Sequence, residues 1–346
     1  MTEASSELQM ASVPCPLCEG TESRSVVDLP DYWYSVHGTF HVVRCRNCGH
    51  EFMNPRPAAE SLADCYPDLY EPHQEAADTA PAESQPWYLR LRDVPGMRRL
   101  YHWLMDDRSQ PVPDTPKSGS QPPAAFELGC AAGRYLLELQ ERGWVVRGVE
   151  LCGPPAEAAR RRGLDVIEGT LDTVDLEKEQ FDLAAAWMVI EHVPEPRQTL
   201  SQLRRVLRPG GRLLLSVPNA RCWQRRLFGR YWYGWDVPRH LQHFGPAGIS
   251  RLLKDSGFTR VQVIHQRTLL SMMGSIGLWL RRGRDKSSRL ADWFVTYPDQ
   301  PRLWVQLLLA PWAIVLSWLR QGERLTVSAR VDSDFVATAD HGEDSR

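Results

Sequence analysis

The sequence lacks three features that would place it in a familiar class at once. Its formal net charge is only -2 over 346 residues, so no overall positive field draws it to nucleic acid. Its first ten residues, MTEASSELQM, have neither the basic nor the apolar region of a secretory signal, and we therefore expect a cytoplasmic protein. No internal repeat is visible. The apolar fraction of 42% is sufficient for a globular core.

Cysteine is present but not in the density of a disulfide scaffold, since eight are spread over the whole chain. Four of them form two CxxC pairs, Cys15 with Cys18 and Cys45 with Cys48. In a reducing compartment such pairs indicate a metal, and four thiolates suit a closed, structural, tetrahedral Zn²⁺ site. Reduced metal-free cysteines or a redox pair are the alternatives. We interpret Cys65 as an ordinary buried residue.

Composition shifts divide the chain into five parts. We expect disorder in residues 1–12, a zinc ribbon in 13–56 and a linker with a helical segment in 57–123. An α/β domain follows in 124–331, and a polar, disordered tail in 332–346. Within the α/β domain, short apolar strands alternate with helical segments. This alternation predicts a parallel sheet with helices on both faces.

The strongest chemical signal is the segment FELGCAAGRY, which joins the first strand to the first helix of this domain. Glu127, Gly129 and Gly133 lie in this turn. Glycines let the backbone approach a ligand closely, and a helix N-terminus presents free N–H groups. The next strand ends in Glu150, which can accept hydrogen bonds from ribose hydroxyls. The pattern predicts a nucleotide site at the carboxyl ends of the strands; because GxGxxG is absent, an NAD-binding domain is the weaker alternative.

The ordered segments ELGCAAGRY, GVEL, EGTLD, FDLAAAWMVIEHVPEP and LRPGGRLLLSVPN resemble the class I methyltransferases that use S-adenosylmethionine (SAM). The resemblance covers about 124–219. It implies a Rossmann-like α/β fold with a seven-stranded sheet in the order 3-2-1-4-5-7-6, in which LTVSARV is the antiparallel seventh strand. It also implies a set of residues around SAM: Glu127, Gly129, Gly133, Glu150, Leu151, Thr170, Leu171, Asp172 and Met188.

The segment 221–248, after the fifth strand, is too aromatic and too charged for a plain connection. Loops at this edge of an α/β sheet carry active sites. We expect the acceptor of the methyl group to contact Tyr231, Tyr233, Trp235, Asp236 and Arg239. An oxygen acceptor must lose a proton, and histidine titrates near neutrality. The candidate catalytic residues are therefore His240 first, His243 second, and Glu191. Alternatively, the histidines only brace the loop, and Glu191 with His192 only caps the next helix.

Three functions are compatible with these features. The leading one is O- or C-methylation of a small molecule, sugar or glycolipid. The segment VVRCRNCGHEFMNPRP also resembles the ribbon that precedes the methyltransferase domain in a bacterial subgroup, which is often associated with sugar-, polysaccharide- or quinone-type substrates. The second is RNA methylation with the ribbon as the target-binding part. Four basic against five acidic residues in 15–56 disfavour nucleic acid as a partner. The third is a non-catalytic protein with a SAM fold.

An apolar helical insertion at 267–322 separates the predicted sixth and seventh strands. Its second apolar run, 303–319, is 17 residues long, whereas a spanning helix needs about 20. Tryptophan and arginine at its ends suit a membrane interface. Both flanking strands belong to one domain, so a single span is excluded. Peripheral membrane contact through 269–320, a helical cap packed on the domain and a dimer interface remain alternatives.

Overall fold

The computed structural model describes residues 8–66, 110–113, 121–282 and 288–332. Most of the predicted linker and its helical segment, and the predicted tail from residue 333, lie outside these residues. The expectation of disorder in 1–12 is wrong at strand β1 (Met10–Ala11), which pairs antiparallel with β5 (Arg56–Pro57). The pairing supplies backbone partners that the polar composition of this segment does not reveal.

The N-terminal part is a small antiparallel sheet. Its strands are β2 (Ser23–Leu29), β3 (Phe40–Cys45) and β4 (Glu51–Met53). A fourth strand, β11 (Gln242–His243), pairs antiparallel with β4, although it lies almost two hundred residues later in the chain. The order is β11-β4-β3-β2. The segment predicted to hold the acceptor is therefore part of the ribbon sheet.

The second sheet has seven strands, as predicted. They are β6 (Ala124–Leu128), β7 (Val145–Glu150), β8 (Asp165–Glu168), β9 (Phe181–Trp187), β10 (Leu207–Pro218), β12 (Phe258–His265) and β13 (Arg324–Val331). The order is β12-β13-β10-β9-β6-β7-β8, and β13 is antiparallel to both of its neighbours. If the strands are numbered 1 to 7 from β6 and the order is read from β8, it is 3-2-1-4-5-7-6. The predicted fold class is confirmed.

Helices cover both faces of this sheet. They are α1 (Arg134–Glu141), α2 (Gly153–Arg161), α3 (Pro196–Val206) and α5 (Pro246–Asp255). A further helix, α4 (Trp223–Phe228), follows β10. Alternate residues of β9 separate the two cores: Leu183, Ala185 and Trp187 pack with α1 and α2, and Ala184 and Ala186 with α3 and α5. This alternation is the period of two that a strand imposes, and it leaves the carboxyl ends of the strands as the edge for a site.

The predicted insertion lies between β12 and β13, and its described residues form three helices. They are α6 (Leu270–Arg281), α7 (Arg289–Thr296) and α8 (Leu303–Trp318). Buried Glu323, directly before β13, accepts hydrogen bonds from the N–H groups of Ser271 and Met272. Its carboxylate thus satisfies two of the unpaired donors at the start of α6. Among the described residues, no helix is both long and apolar enough to cross a bilayer.

Candidate active site

The glycine turn lies between β6 and α1. Gly129 and Gly133 have φ values of 67° and 78°, in the left-handed region that favours glycine. A Cβ on Gly129 would lie 2.5 Å from Val189, and one on Gly133 would lie 2.2 Å from Leu164. Packing against the protein therefore requires both glycines whatever the ligand. Their effect is to hold the turn, and the first N–H groups of α1, close to the ends of the neighbouring strands.

Two buried carboxyl groups flank this turn. Glu150, at the end of β7, accepts hydrogen bonds from the N–H groups of Ala131 at 2.8 Å and Cys152 at 3.0 Å. Glu127, in β6, has an oxygen that is buried without a partner among the described residues. Burial and the nearby Glu150 raise the pKa of Glu127 well above its ordinary value. Among the described residues, no basic side chain is hydrogen-bonded to either carboxyl group. Both groups could therefore face a bound cation.

The other residues predicted to surround SAM lie at the same edge. Leu151 follows β7 and is 58% exposed, and Met188 follows β9 with a φ of 56°. Thr170, Leu171 and Asp172 follow β8. The Asp172 carboxylate accepts hydrogen bonds from the side chains of Gln198 and Gln202 in α3. All nine predicted residues therefore lie at this edge of the sheet. The Asp172 side chain is already hydrogen-bonded to side chains of α3.

Three side chains converge beyond the end of β9. Glu191 is fully buried, and neither of its carboxyl oxygens has a hydrogen-bond partner among the described residues. One of its oxygens, one ring nitrogen of His192 and one ring nitrogen of His240 lie within 4.8 Å of one another. Burial raises the pKa of Glu191 to about 8, so the carboxyl group is protonated at neutral pH. The three groups, which we call the Glu-His-His cluster, can therefore hold and exchange a proton.

Backbone carbonyls orient both histidines of the cluster. His240 Nδ1 lies 3.1 Å from the carbonyl oxygen of Gly234, and His192 Nδ1 lies 3.2 Å from that of Arg239. A carbonyl only accepts, so Nδ1 of His240 carries the hydrogen and its Nε2 keeps its lone pair. Burial lowers the pKa of both rings, that of His192 to about 3. Asp236 Oδ2 lies 3.7 Å from His240 Nε2. His240 is therefore a neutral base with a carboxylate at hand to stabilise its protonated form.

Arg239 was predicted to contact the acceptor, but its guanidinium is directed into the protein. It donates to both oxygens of Asp31, at 3.0 and 2.8 Å, and to Asp236 at 2.7 Å. Its face lies over the ring of Tyr34, and it is 1% exposed. Asp236 in turn has a φ of 32°. Arg239 thus holds Asp236, and with it the backbone before His240, against the ribbon.

The predicted aromatic wall is largely internal. Trp232 and Trp235 are buried in a core that they share with Leu29, Phe40, Val42 and Met53 of the ribbon. Tyr233 packs edge-on against Trp33 and also contacts α6, whereas Tyr231 is partly exposed beside Tyr32. His243 lies in β11 with its ring 4.9 Å from that of Trp235, and burial lowers its pKa well below the usual range. It is not among the three converging groups.

Sequence reasoning missed several residues that hold the site together. Asp31 binds Arg239, Tyr66 lies 3.0 Å from His192 Nδ1, and His50 lies 2.9 Å from the side chain of Gln242. Each contact joins the N-terminal part to residues more than a hundred positions later. No local pattern signals such pairs. Only the aromatic and charged composition of 221–248 indicated that the later segment was special.

The four paired cysteines form a compact cluster. Cys15 Sγ lies 3.5 Å from Cys48 Sγ, and Cys18 Sγ lies 3.6 Å from Cys45 Sγ. Zn–S bonds of about 2.3 Å place sulfur atoms about 3.8 Å apart in a tetrahedron. Backbone N–H groups of Leu17, Gly20 and His50 also point at these sulfurs. The donor set and its spacing are compatible with zinc. Cys65, 3.6 Å from the carbonyl oxygen of Ser61, is buried outside the cluster.

Comparisons with known proteins agree with this architecture. A family model described as a methyltransferase domain matches residues 106–263. An uncharacterized 37.1 kDa protein in transposon TN4556 of Streptomyces fradiae is 37% identical over 105 residues, which cover 28% of this chain and 30% of that protein. The ubiquinone biosynthesis O-methyltransferase of Pectobacterium atrosepticum is 25% identical over 144 residues, which cover 38% of this chain and 60% of the relative. The chain thus spans less than two thirds of these relatives.

Two solved structures are similar to this chain at a low level. Phosphoethanolamine N-methyltransferase 2 of Haemonchus contortus is 16% identical with a TM-score of 0.43, over 82% of this chain and 62% of that one. A SAM-dependent methyltransferase of Mesorhizobium loti is 17% identical with a TM-score of 0.40, over 64% and 94%. Likeness of this size carries no information on the substrate. The matching family model, the ordered motifs and the strand order lead to one conclusion: residues 106–263 hold a methyltransferase domain of the SAM-dependent kind.

Proposed function

We propose that the chain transfers the methyl group of SAM to a small-molecule acceptor, at an oxygen or a carbon. One observation carries the proposal. The Glu127–Glu150 pair lies at the carboxyl ends of β6 and β7, and Glu191 and His192 of the Glu-His-His cluster follow β9, the neighbour of β6. SAM, when bound, supplies an activated methyl group on a positively charged sulfur. Buried carboxyl groups on one side and a neutral base on the other are what such a transfer requires.

The residues divide the work as follows. Glu150 holds the ribose hydroxyls, and Glu127 favours the cationic end of the cofactor. His240 Nε2 takes the proton from the acceptor, and Asp236 stabilises the resulting imidazolium from 3.7 Å. Protonated Glu191 donates a hydrogen bond to a substrate oxygen or to a histidine. Arg239 and Asp31 are positioning residues, because they fix Asp236 and the backbone of the loop.

We propose that Cys15, Cys18, Cys45 and Cys48 hold a structural zinc ion. Four protein thiolates leave no open position for substrate. The ion would fix the turns next to β3 and β4. Strand β4 pairs with β3 on one side and with β11 on the other. Zinc would therefore stabilise the backbone three residues from His240, although it takes no part in the chemistry.

A test of the function measures transfer of labelled methyl from SAM into fractions of an extract from the source cells. Glu150→Ala is the inactive control. The proposal predicts label in the small-molecule or lipid fraction and none with Glu150→Ala. Label in RNA would instead identify an RNA methyltransferase, and SAM binding without any label would favour a binding protein.

We propose further that the acceptor is met at a membrane surface, through α8. Every exposed side chain of this helix is apolar: Trp304, Leu307, Leu308, Pro311, Trp312, Val315 and Trp318, with Leu319 directly after it. Trp312 and Trp318 are 68% and 70% exposed. Exposed arginines, Arg302 and Arg320, lie at the two ends. A helix of 16 residues is about 24 Å long, too short to span, so it would lie in the interface with its arginines at lipid phosphates.

Cosedimentation with phospholipid vesicles tests this contact. The double change Trp312→Ser and Trp318→Ser should abolish binding to vesicles with anionic lipid, whereas Val145→Ser, at an exposed apolar position in β7, should not. Equal binding of both variants would contradict the contact. A stable wild-type dimer that is lost in the double variant alone would also contradict the contact. The α8 face would then be an interface between two copies of the chain.

A further inference from the structure

A cavity of about 490 Å³ lies between the ribbon and the segment that follows β10. Five arginines line it: Arg44 from the ribbon, and Arg221, Arg225, Arg226 and Arg230 from in and around α4. Trp235 completes the wall. We call it the arginine cavity. No lining residue among those that the structure describes is acidic.

One buried carboxylate partly neutralises this charge. Glu51, 1% exposed, accepts from Arg44 Nε at 2.8 Å, lies 2.7 Å from Arg225 Nη1 and lies 3.5 Å from Arg221. One negative charge against five positive ones leaves an excess of four. Arg226 makes no hydrogen bond or ion pair within the described part of the chain. Like charges held together around a cavity, without enough counter-charge, favour an anionic ligand.

Guanidinium groups match phosphate oxygens in pairs, through parallel N–H donors. A volume of about 490 Å³ suits a small phosphorylated molecule rather than a polymer. We propose that the arginine cavity binds a phosphate or diphosphate group of the methyl acceptor. This inference rests on the proposed function and adds to it the chemical class of the acceptor.

The position of the cavity agrees with this role. The guanidinium of Arg225 lies 4.6 Å from the ring centre of Trp235, and the same ring contacts His243. His243 is three residues from His240 and shares β11 with Gln242, whose N–H donates to the carbonyl oxygen of Glu191. The cavity and the Glu-His-His cluster are thus linked by one short segment. An acceptor anchored by its phosphate in this cavity would lie beside the segment that carries His240 of the cluster.

Calorimetric titration of the full chain with inorganic diphosphate, at fixed ionic strength, tests the site without SAM. We expect saturable binding, and binding weaker by about tenfold or more in Arg226→Gln/Arg230→Gln. Arg205→Gln, at an exposed position of α3, is the matched control and should bind like wild type. Unchanged thermal unfolding of the double variant shows that its fold is intact. Absent binding, or equal weakening in the control, overturns the proposal.

The labelled product of the extract assay tests the link to the acceptor. It should be retained on an anion exchanger, and phosphatase or diphosphatase treatment should abolish the retention. Partition into organic solvent would identify a lipid-linked phosphate, and partition into water a soluble one. A product without phosphate overturns the proposal. The proposal is also overturned if the label appears in RNA and the wild type binds RNA but the double variant does not. Diphosphate binding without any methyl transfer would instead contradict the proposed function and leave only an anion site.

Discussion

The guanidinium of Arg239 donates to both carboxylate oxygens of Asp31, which lies 208 residues earlier in the chain. The side chains of both residues are fully buried. This ion pair joins the ribbon to the segment that carries His240. Together with β11 and the shared aromatic core, it makes the ribbon part of the active-site scaffold rather than an appended module.

Asp31→Asn should therefore destabilise the protein. Removing one partner of a buried ion pair costs about 3 kcal/mol, because the remaining charge is left without compensation; Asp236 limits the loss. Urea unfolding measures the change, and turnover should fall while SAM affinity is unchanged. Asp64→Asn, at an exposed position near the end of the ribbon, is the control. Equal unfolding midpoints for the two variants would show that the pair contributes nothing.

Glu191→Gln should stabilise the protein at alkaline pH. The pKa of Glu191 is raised to about 8 by burial, so an unfolded chain loses this proton at a lower pH than the folded one. Stability due to this group is therefore lost as pH rises from about 4.3 towards 8, by at most about 5 kcal/mol.

The free energy of unfolding, measured at acidic pH and at about pH 8, checks this effect. The gain in Glu191→Gln should be small at the lower pH and large at the higher one. Exposed Glu138→Gln on α1 should show no such difference. A pH-independent gain would contradict the raised pKa. A gain in stability together with a loss of turnover would indicate that Glu191 serves function at a cost in stability.

The ribbon should depend on metal. Cys45→Ser should lose the zinc and lower turnover, because β4 and β11 are held by the same small sheet. Metal content of the purified variant is the measurement. Cys65→Ser changes a buried thiol outside the cluster and should keep the full metal content. Full metal content in Cys45→Ser would remove the structural zinc from the account.

His240→Asn should reduce turnover by about 100-fold or more, the usual contribution of a general base, with SAM affinity unchanged. The asparagine amide can still donate to the carbonyl of Gly234, so the loop should keep its shape. Burial lowers the pKa of His240, so wild-type activity should persist below pH 6.5 before the ring is protonated. His41→Asn, in the ribbon, is the control. Turnover at the wild-type level would leave His240 with a bracing role only.

Local patterns in the sequence were sufficient for the α/β domain. The glycine turn, the acid that ends β7 and the alternation of strands and helices each occupy a short window, and the structure confirms the fold that they predict. Contacts between distant segments were not predictable in this way. β11 is two residues long and has no periodicity, and the arginine cavity combines Arg44 with four arginines about 180 residues later. The ribbon alone has a nearly neutral charge balance and supplies only one of the five arginines, and for that reason the cavity was not predicted.

The central claim is that SAM binds at the glycine turn and Glu150. Calorimetric titration of SAM into wild type, Glu150→Ala and the exposed control Glu138→Ala tests it most directly. The account predicts that Glu150→Ala weakens SAM binding by about 100-fold, as expected when two charge-assisted hydrogen bonds are lost, and that Glu138→Ala binds like wild type. The same affinity in all three proteins would contradict the assignment of the cofactor site.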